Sequence, residues 1–144
     1  MNHTTREVVI AAVRVQYRLD LDGIHSLAHW ERVRENGLRL AGRTGARNDV
    51  VELFAYFHDA CRHNNSHDPQ HGARGAELAR GLAGTVFDLD PEGLALLAGA
   101  GIGHARGEMA TAPSGRTPAK PISRRHRTTT TAVTSSATQK TGTG

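Results

Sequence analysis

Apolar positions along the first hundred residues recur at three- and four-residue steps, the spacing of one face of an α-helix. Thr5 is placed to cap a first helix running through Val8-Val9-Ile10-Ala11-Ala12-Val13 to about Arg18, and Leu19-Asp20-Leu21-Asp22-Gly23 ends it. Ser26 starts a second helix, in which Trp30, Val33, Gly37, Leu40 and Ala41 share a face and Glu31, Arg32, Arg34 and Glu35 lie largely off it. Gly42-Arg43-Thr44-Gly45 reads as a break. Asn48 or Asp49 opens a third helix with the stripe Val50, Leu53, Phe54, Phe57 and Cys61, and a polar loop His63-Asn64-Asn65-Ser66-His67 follows. Asp68-Pro69 and Asp90-Pro91 each signal a helix start, because Asp accepts free amide hydrogens and Pro tolerates the first helical position. They predict a fourth helix carrying Ala73, Ala76, Leu78, Ala79 and Leu82, and a fifth carrying Leu94, Leu96 and Leu97. No run alternates with period two long enough for a strand. The expected fold is all-α, a bundle of about five helices.

The hydrophobic pattern stops at His104. Residues 105–144 contain ten threonines, no aromatic residue, and only Met109, Ile122 and Val133 as sizeable apolar side chains. Such a segment cannot bury enough surface to offset the entropy of ordering it, so a helical domain over 5–104 and a disordered tail over 105–144 are expected. The same boundary changes the meaning of the charge. The chain has 18 basic and 14 acidic side chains and an isoelectric point near 10.0, which taken whole invites a nucleic-acid reading. Residues 1–104 hold 11 basic and 13 acidic groups, whereas residues 105–144 hold 7 and 1. The basicity belongs to the tail, and the domain is slightly acidic.

A single cysteine, Cys61, excludes an intramolecular disulfide framework and a multi-cysteine zinc site. The apolar run Val8–Val13 is too short for a signal-peptide core, and no span approaches transmembrane length. A cytoplasmic protein without a membrane partner is the expectation.

The sharpest chemical feature is Phe57-His58-Asp59. An ionised Asp beside a His on a buried helix face is costly to desolvate, and a divalent metal ligated by both offsets that cost directly. Further ligands are available in His25, His29, His67, Asp68, His71 and His104. The plainer reading pairs Asp59 with Arg62 and makes His58 a hydrogen-bonded core histidine. Seven histidines between positions 25 and 104 favour the metal.

With these residues in place, the chain resembles the HD-domain metal-dependent phosphohydrolase superfamily, whose pattern is a histidine, an adjacent His-Asp pair and a distant Asp. His29-Trp30-Glu31-Arg32-Val33 looks like the first motif and Phe57-His58-Asp59 like the defining doublet. Gly23 through Trp30, Asn36-Gly37-Leu38, and His67-Asp68-Pro69-Gln70-His71-Gly72 with Gly75-Ala76-Glu77 look like a compact bacterial branch, over roughly residues 7–104. The resemblance implies an HD-type helical bundle and, as ligands of the principal metal, His29, His58 and Asp59. It places His71 and His104 where two-metal members carry further histidines, and makes His25 structural or an orienting partner of a ligand. It implies a divalent cofactor (Mn, Mg, Fe, Co, Ni or Zn), a small phosphorylated substrate, and hydrolysis by a metal-activated water, with Arg32 or Arg62 available to phosphate. The chain departs from the pattern at its end: no Asp follows His104, and the sole acid there is Glu108. A shifted reading frame produces that kind of abrupt change and is the preferred reading. The other is a degenerate member with a disordered tail, inactive for want of the last Asp.

Other readings are weaker. Gly99, Gly101, Gly103 and Gly107 do not follow the dinucleotide-loop order, no Walker-type loop precedes Lys120, and Cys61 looks like core. The tail's Arg124-Arg125-His126-Arg127 lacks stacking aromatics, so nucleic acid is not the expected partner, although a dead HD scaffold whose basic tail contacts an anionic partner is the alternative to an enzyme. The shifted-frame reading has a direct check. Translating the coding DNA after codon 104 in its other frames is expected to restore an amphipathic helix with an Asp; if neither frame does, the degenerate reading replaces it.

Overall fold

The computed structural model describes residues 1–107, and within them the fold is all-α. Helix α1 spans His3–Gln16, α2 Leu27–Thr44, α3 Asn48–Phe57, α4 His71–Leu82 and α5 Pro91–Ala105. No strand occurs among the described residues; one isolated bridge, Ala83 to Phe87, closes the turn between α4 and α5. Apart from its first three residues, the expected tail lies outside the described residues.

Helix α3 is the hub. It buries Val50, Leu53, Ala55, Tyr56 and Phe57, and each of the other four helices packs against it. From α1 come Val9 and Val13, from α2 Trp30, and from the α4–α5 side Ala79, Phe87 and Leu97, which together with α3 make one apolar core. Tyr17 meets Trp30 edge-on with ring centroids 5.1 Å apart, and Phe57 meets Phe87 at 5.6 Å. Two polar ties cross this core boundary. The Tyr56 hydroxyl donates to Glu31 at 2.8 Å, and Arg34 donates to the buried Glu52 at 2.9 Å.

Several element ends differ from the sequence expectation, each for a local reason. The cap of α1 is Asn2, whose Oδ1 accepts the Thr5 amide at 2.8 Å, so the helix starts earlier and ends at Gln16. Helix α2 runs through the expected break, because an exposed helical glycine such as Gly42 costs only about 1 kcal/mol. It stops at Gly45, whose φ of 76° turns the chain while its amide bonds the Ala41 carbonyl. Helix α3 ends at Phe57, not Cys61, as the chain tightens into three-residue hydrogen bonds from Ala60 to Phe57 and from Arg62 to Asp59.

The two Asp-Pro pairs behave differently. Asp90 caps α5, accepting the Gly93 amide at 2.7 Å, and Arg47 ties it to Asp49 at the start of α3. Asp68 does not cap α4. Its carboxylate is taken by Arg74 at 2.6 Å and the His63 amide at 2.8 Å, so the helix begins at His71.

The α4–α5 interface is the most extensive in the bundle, and it is made by glycine. A Cβ on Gly72 would lie 1.9 Å from the Gly101 carbonyl oxygen, and one on Gly75 would lie 2.3 Å from that of Phe57. At Gly72 the α4 and α5 backbones meet with the Ala105 methyl beside them, and at Gly75 the α4 backbone meets the end of α3. Gly81, on the same helix, has open space around it. Gly72→Ala is therefore expected to destabilise by about 3 kcal/mol or more through forced separation of α4 and α5. Gly81→Ala is expected to stabilise by about 0.5–1 kcal/mol through helix propensity. Urea denaturation of the two variants distinguishes them by sign.

Candidate metal centre

Five elements converge on the Asp59 carboxylate, which is 1% exposed. His58 caps the end of α3 with helical backbone angles, its amide bonding the Phe54 carbonyl, and Asp59 follows it in the turn beyond. His25 lies in the loop before α2, held by the Tyr17 hydroxyl, which donates to the His25 carbonyl at 2.9 Å. His29 is in the first turn of α2, His71 opens α4, and His104 is in the last turn of α5.

The two carboxylate oxygens face different partners. Around Oδ2 are His25 Nδ1 at 2.8 Å, His58 Nε2 at 3.2 Å and His29 Nε2 at 3.7 Å. Around Oδ1 are Arg62 Nη1 at 3.2 Å, His71 Nε2 at 3.5 Å and His104 Nε2 at 3.9 Å. Two overlapping groups could hold a metal ion: His25, His29 and Asp59, and His58, Asp59 and His104. Every residue expected as a ligand from the sequence (His29, His58, Asp59, His71, His104) thus lies at this one place. His25 comes closer to Asp59 than any of them.

The backbone decides which imidazole nitrogen faces the centre. His58 Nδ1 lies 2.9 Å from the Ala55 carbonyl, and His71 Nδ1 lies 2.5 Å from the Asp68 carbonyl. A carbonyl only accepts, so both Nδ1 atoms carry the proton and, in the neutral rings, both Nε2 atoms present lone pairs inward. His58 Nε2 then faces His29 Nε2 at 3.3 Å and Asp59 Oδ2 at 3.2 Å. Such a cluster of acceptors needs a shared proton or a cation among them. A nitrogen-rich set with one carboxylate suits a borderline divalent ion.

The protonation tendencies agree with that need. Burial alone raises the Asp59 carboxyl, but the surrounding imidazoles of His104, His58 and His25 hold it far below the usual carboxylate range. Burial pushes His29 below the ordinary imidazole value, with the neighbouring His58 adding to it. His71 is lowered as well, by burial first and by the Arg62 charge. An ionised carboxylate beside two imidazoles that disfavour their charged forms, His29 and His71, suits a metal.

Access is one-sided. The side chains of His104 and His29 are 42% and 30% exposed, against 1% for His58 and 6% for His71. The mouth therefore lies between α2 and α5, with the exposed Arg32 one turn beyond His29. The remaining candidates stand apart. His63 and His67 are exposed, His3 pairs with Glu7 at the surface, and Asp68 is engaged by Arg74. The Asp59–Arg62 pair of the plainer reading is present too, inside the cluster rather than instead of it. Sequence reasoning offered Arg62 as a partner of Asp59 or of phosphate, but not its contact with His71 at 3.4 Å. Its three-residue spacing from Asp59 was the available signal.

Because His29 and His71 are held below their ordinary value, the unfolded chain takes up protons near pH 6.5 that the folded chain refuses. Their contribution to stability is whole above about pH 6.5 and is lost as pH falls below it. Asp59, depressed, contributes fully above the ordinary carboxylate value near 3.9 and loses that contribution as pH falls below it, outside this window. Metal-free protein is therefore expected to gain stability from pH 5 to pH 7, and His29→Gln to flatten the rise. Urea midpoints measured across that range check it; a midpoint that falls with rising pH contradicts it.

Comparison with known proteins gave no matching family model, no matching curated protein and no matching solved structure.

Proposed function

We propose that the chain is a metal-dependent hydrolase of the HD type, acting on a small phosphoester or nucleotide-like substrate. The observation that carries the reading is the convergence of His29 Nε2, His58 Nε2 and Asp59 Oδ2 within 3.2–3.7 Å, with the His58 proton held away by the Ala55 carbonyl. His29, His58 and Asp59 are the residues that would hold the ion, with His25 in reach of the same carboxylate oxygen. A divalent ion bound there supplies Lewis-acid activation of water and neutralises charge on a phosphoryl oxygen.

The chain's own groups account for the rest. Ala55 and Asp68 carbonyls fix the ring faces of His58 and His71. His25, donating from Nδ1, steadies the Asp59 oxygen when no ion is near. His104 and His29 flank the mouth, where an incoming phosphate meets two imidazoles. Arg32 adds a positive charge at that mouth, suited to drawing in an anion. The imidazole-rich donors favour Fe, Co, Ni or Zn over Mg, which prefers oxygen.

The second reading, a metal-holding scaffold without turnover, is favoured by one observation: Asp59 is the single carboxylate in both candidate groups. One experiment separates the two. Purified protein is assayed for metal by mass spectrometry and for hydrolysis of a generic phosphoester after loading with Mn(II). Bound metal and turnover, both lost in His58→Ala by at least about a hundredfold, support the hydrolase. Metal without turnover supports the scaffold, and absence of tight metal overturns both.

A further inference from the structure

We propose that Arg62 is a built-in cation of the centre, filling the Oδ1 half of Asp59 and so limiting the chain to one metal ion, on the Oδ2 half. This rests on the metal reading above and concerns how many ions that site takes.

The geometry is that of a second cation seat already filled. Oδ1, His71 Nε2 and His104 Nε2 point toward one another across the half of the centre that α4 and α5 enclose, the last two lying 3.5 and 3.9 Å from Oδ1. An ionised oxygen with two imidazole nitrogens turned toward it is a sufficient nucleus for a metal. Arg62 Nη1 stands among them instead, 3.2 Å from Oδ1 and 3.4 Å from His71 Nε2. His71 has its proton on Nδ1, directed to the Asp68 carbonyl, so its Nε2 can accept from Arg62 but has no second lone pair for a metal.

The guanidinium is fastened from behind. Nε donates to the Asn64 carbonyl at 3.2 Å and Nη2 donates to the Ser66 carbonyl at 2.8 Å. Arg62 is 8% exposed. An arginine held this way cannot leave by losing a proton, since its pKa lies above about 12. An ion entering the Oδ1 half would have to displace a charge that is already neutralising the carboxylate. On the Oδ2 half, no fixed charge stands in the way.

The test is metal counting on the full chain, with Mn(II) as the probe. Calorimetric titration and metal analysis of the wild type are expected to give one ion per chain. Arg62→Gln removes the charge and frees Oδ1 and His71 Nε2, and is expected to raise the count to two. Arg62→Lys restores a cation and is expected to return it to one. Two ions in the wild type overturn the proposal, as does a folded Arg62→Gln that still binds one. No ion in the wild type overturns the metal reading itself, a different outcome from two. Should Arg62→Gln not fold, electron paramagnetic resonance of the wild type, saturated with Mn(II) and then freed of unbound ion by gel filtration, decides. An isolated six-line spectrum supports a single seat, and a spin-coupled pair overturns it.

Discussion

Asp59 is an ionised carboxylate taken almost wholly out of water, and the architecture around it is arranged to make that tolerable. Burying such a charge alone costs several kcal/mol, more than most single contacts return. Its partners come from separate places: the loop before α2, the first turn of α2, the end of α3, the loop after it, the start of α4 and the end of α5. The charge and the bundle therefore depend on each other. Without the convergence of helix ends the carboxylate has no partners, and without the carboxylate those ends bring imidazoles together with nothing to share.

The division of labour between the two oxygens gives the centre its chemistry. Oδ2 meets imidazoles only, whereas Oδ1 meets an arginine that is itself tied to the loop carbonyls of Asn64 and Ser66. Backbone carbonyls, not side chains, set the tautomers of His58 and His71. The acceptor pattern is thereby built into the fold before any ligand arrives, which is the condition for a site that binds without reorganising.

The helices were legible in the sequence because their apolar stripes recur at helical spacing, and α3 carried the strongest stripe because it is packed on every side. Helix ends were harder. Asp68-Pro69 and Asp90-Pro91 read alike, yet only Asp90 caps, because Arg74 and the His63 amide reach Asp68 from elsewhere. His58 and Asp59 announced themselves by adjacency, and His29 by its place at a helix start. The closeness of His25 was not legible, since it depends on how Tyr17 pins a loop. Nor was the reach of Arg62 to His71, which requires the segment 63–67 to fold back beneath it.

The glycine contact between α4 and α5 has a bearing on the metal centre that concerns tolerance rather than stability. His71 and His104 ride on helices whose backbones already touch at Gly72 and Gly101, and their rings stand 5.5 Å apart. In most helix pairs, larger or smaller side chains at the seam let the axes drift by an ångström as the sequence changes. Here the seam is backbone against backbone at Gly72 and Gly101, with the small Ala105 methyl beside it. The span between the two rings works as a gauge block: substitutions can alter what the jaws are made of, but not bring them closer.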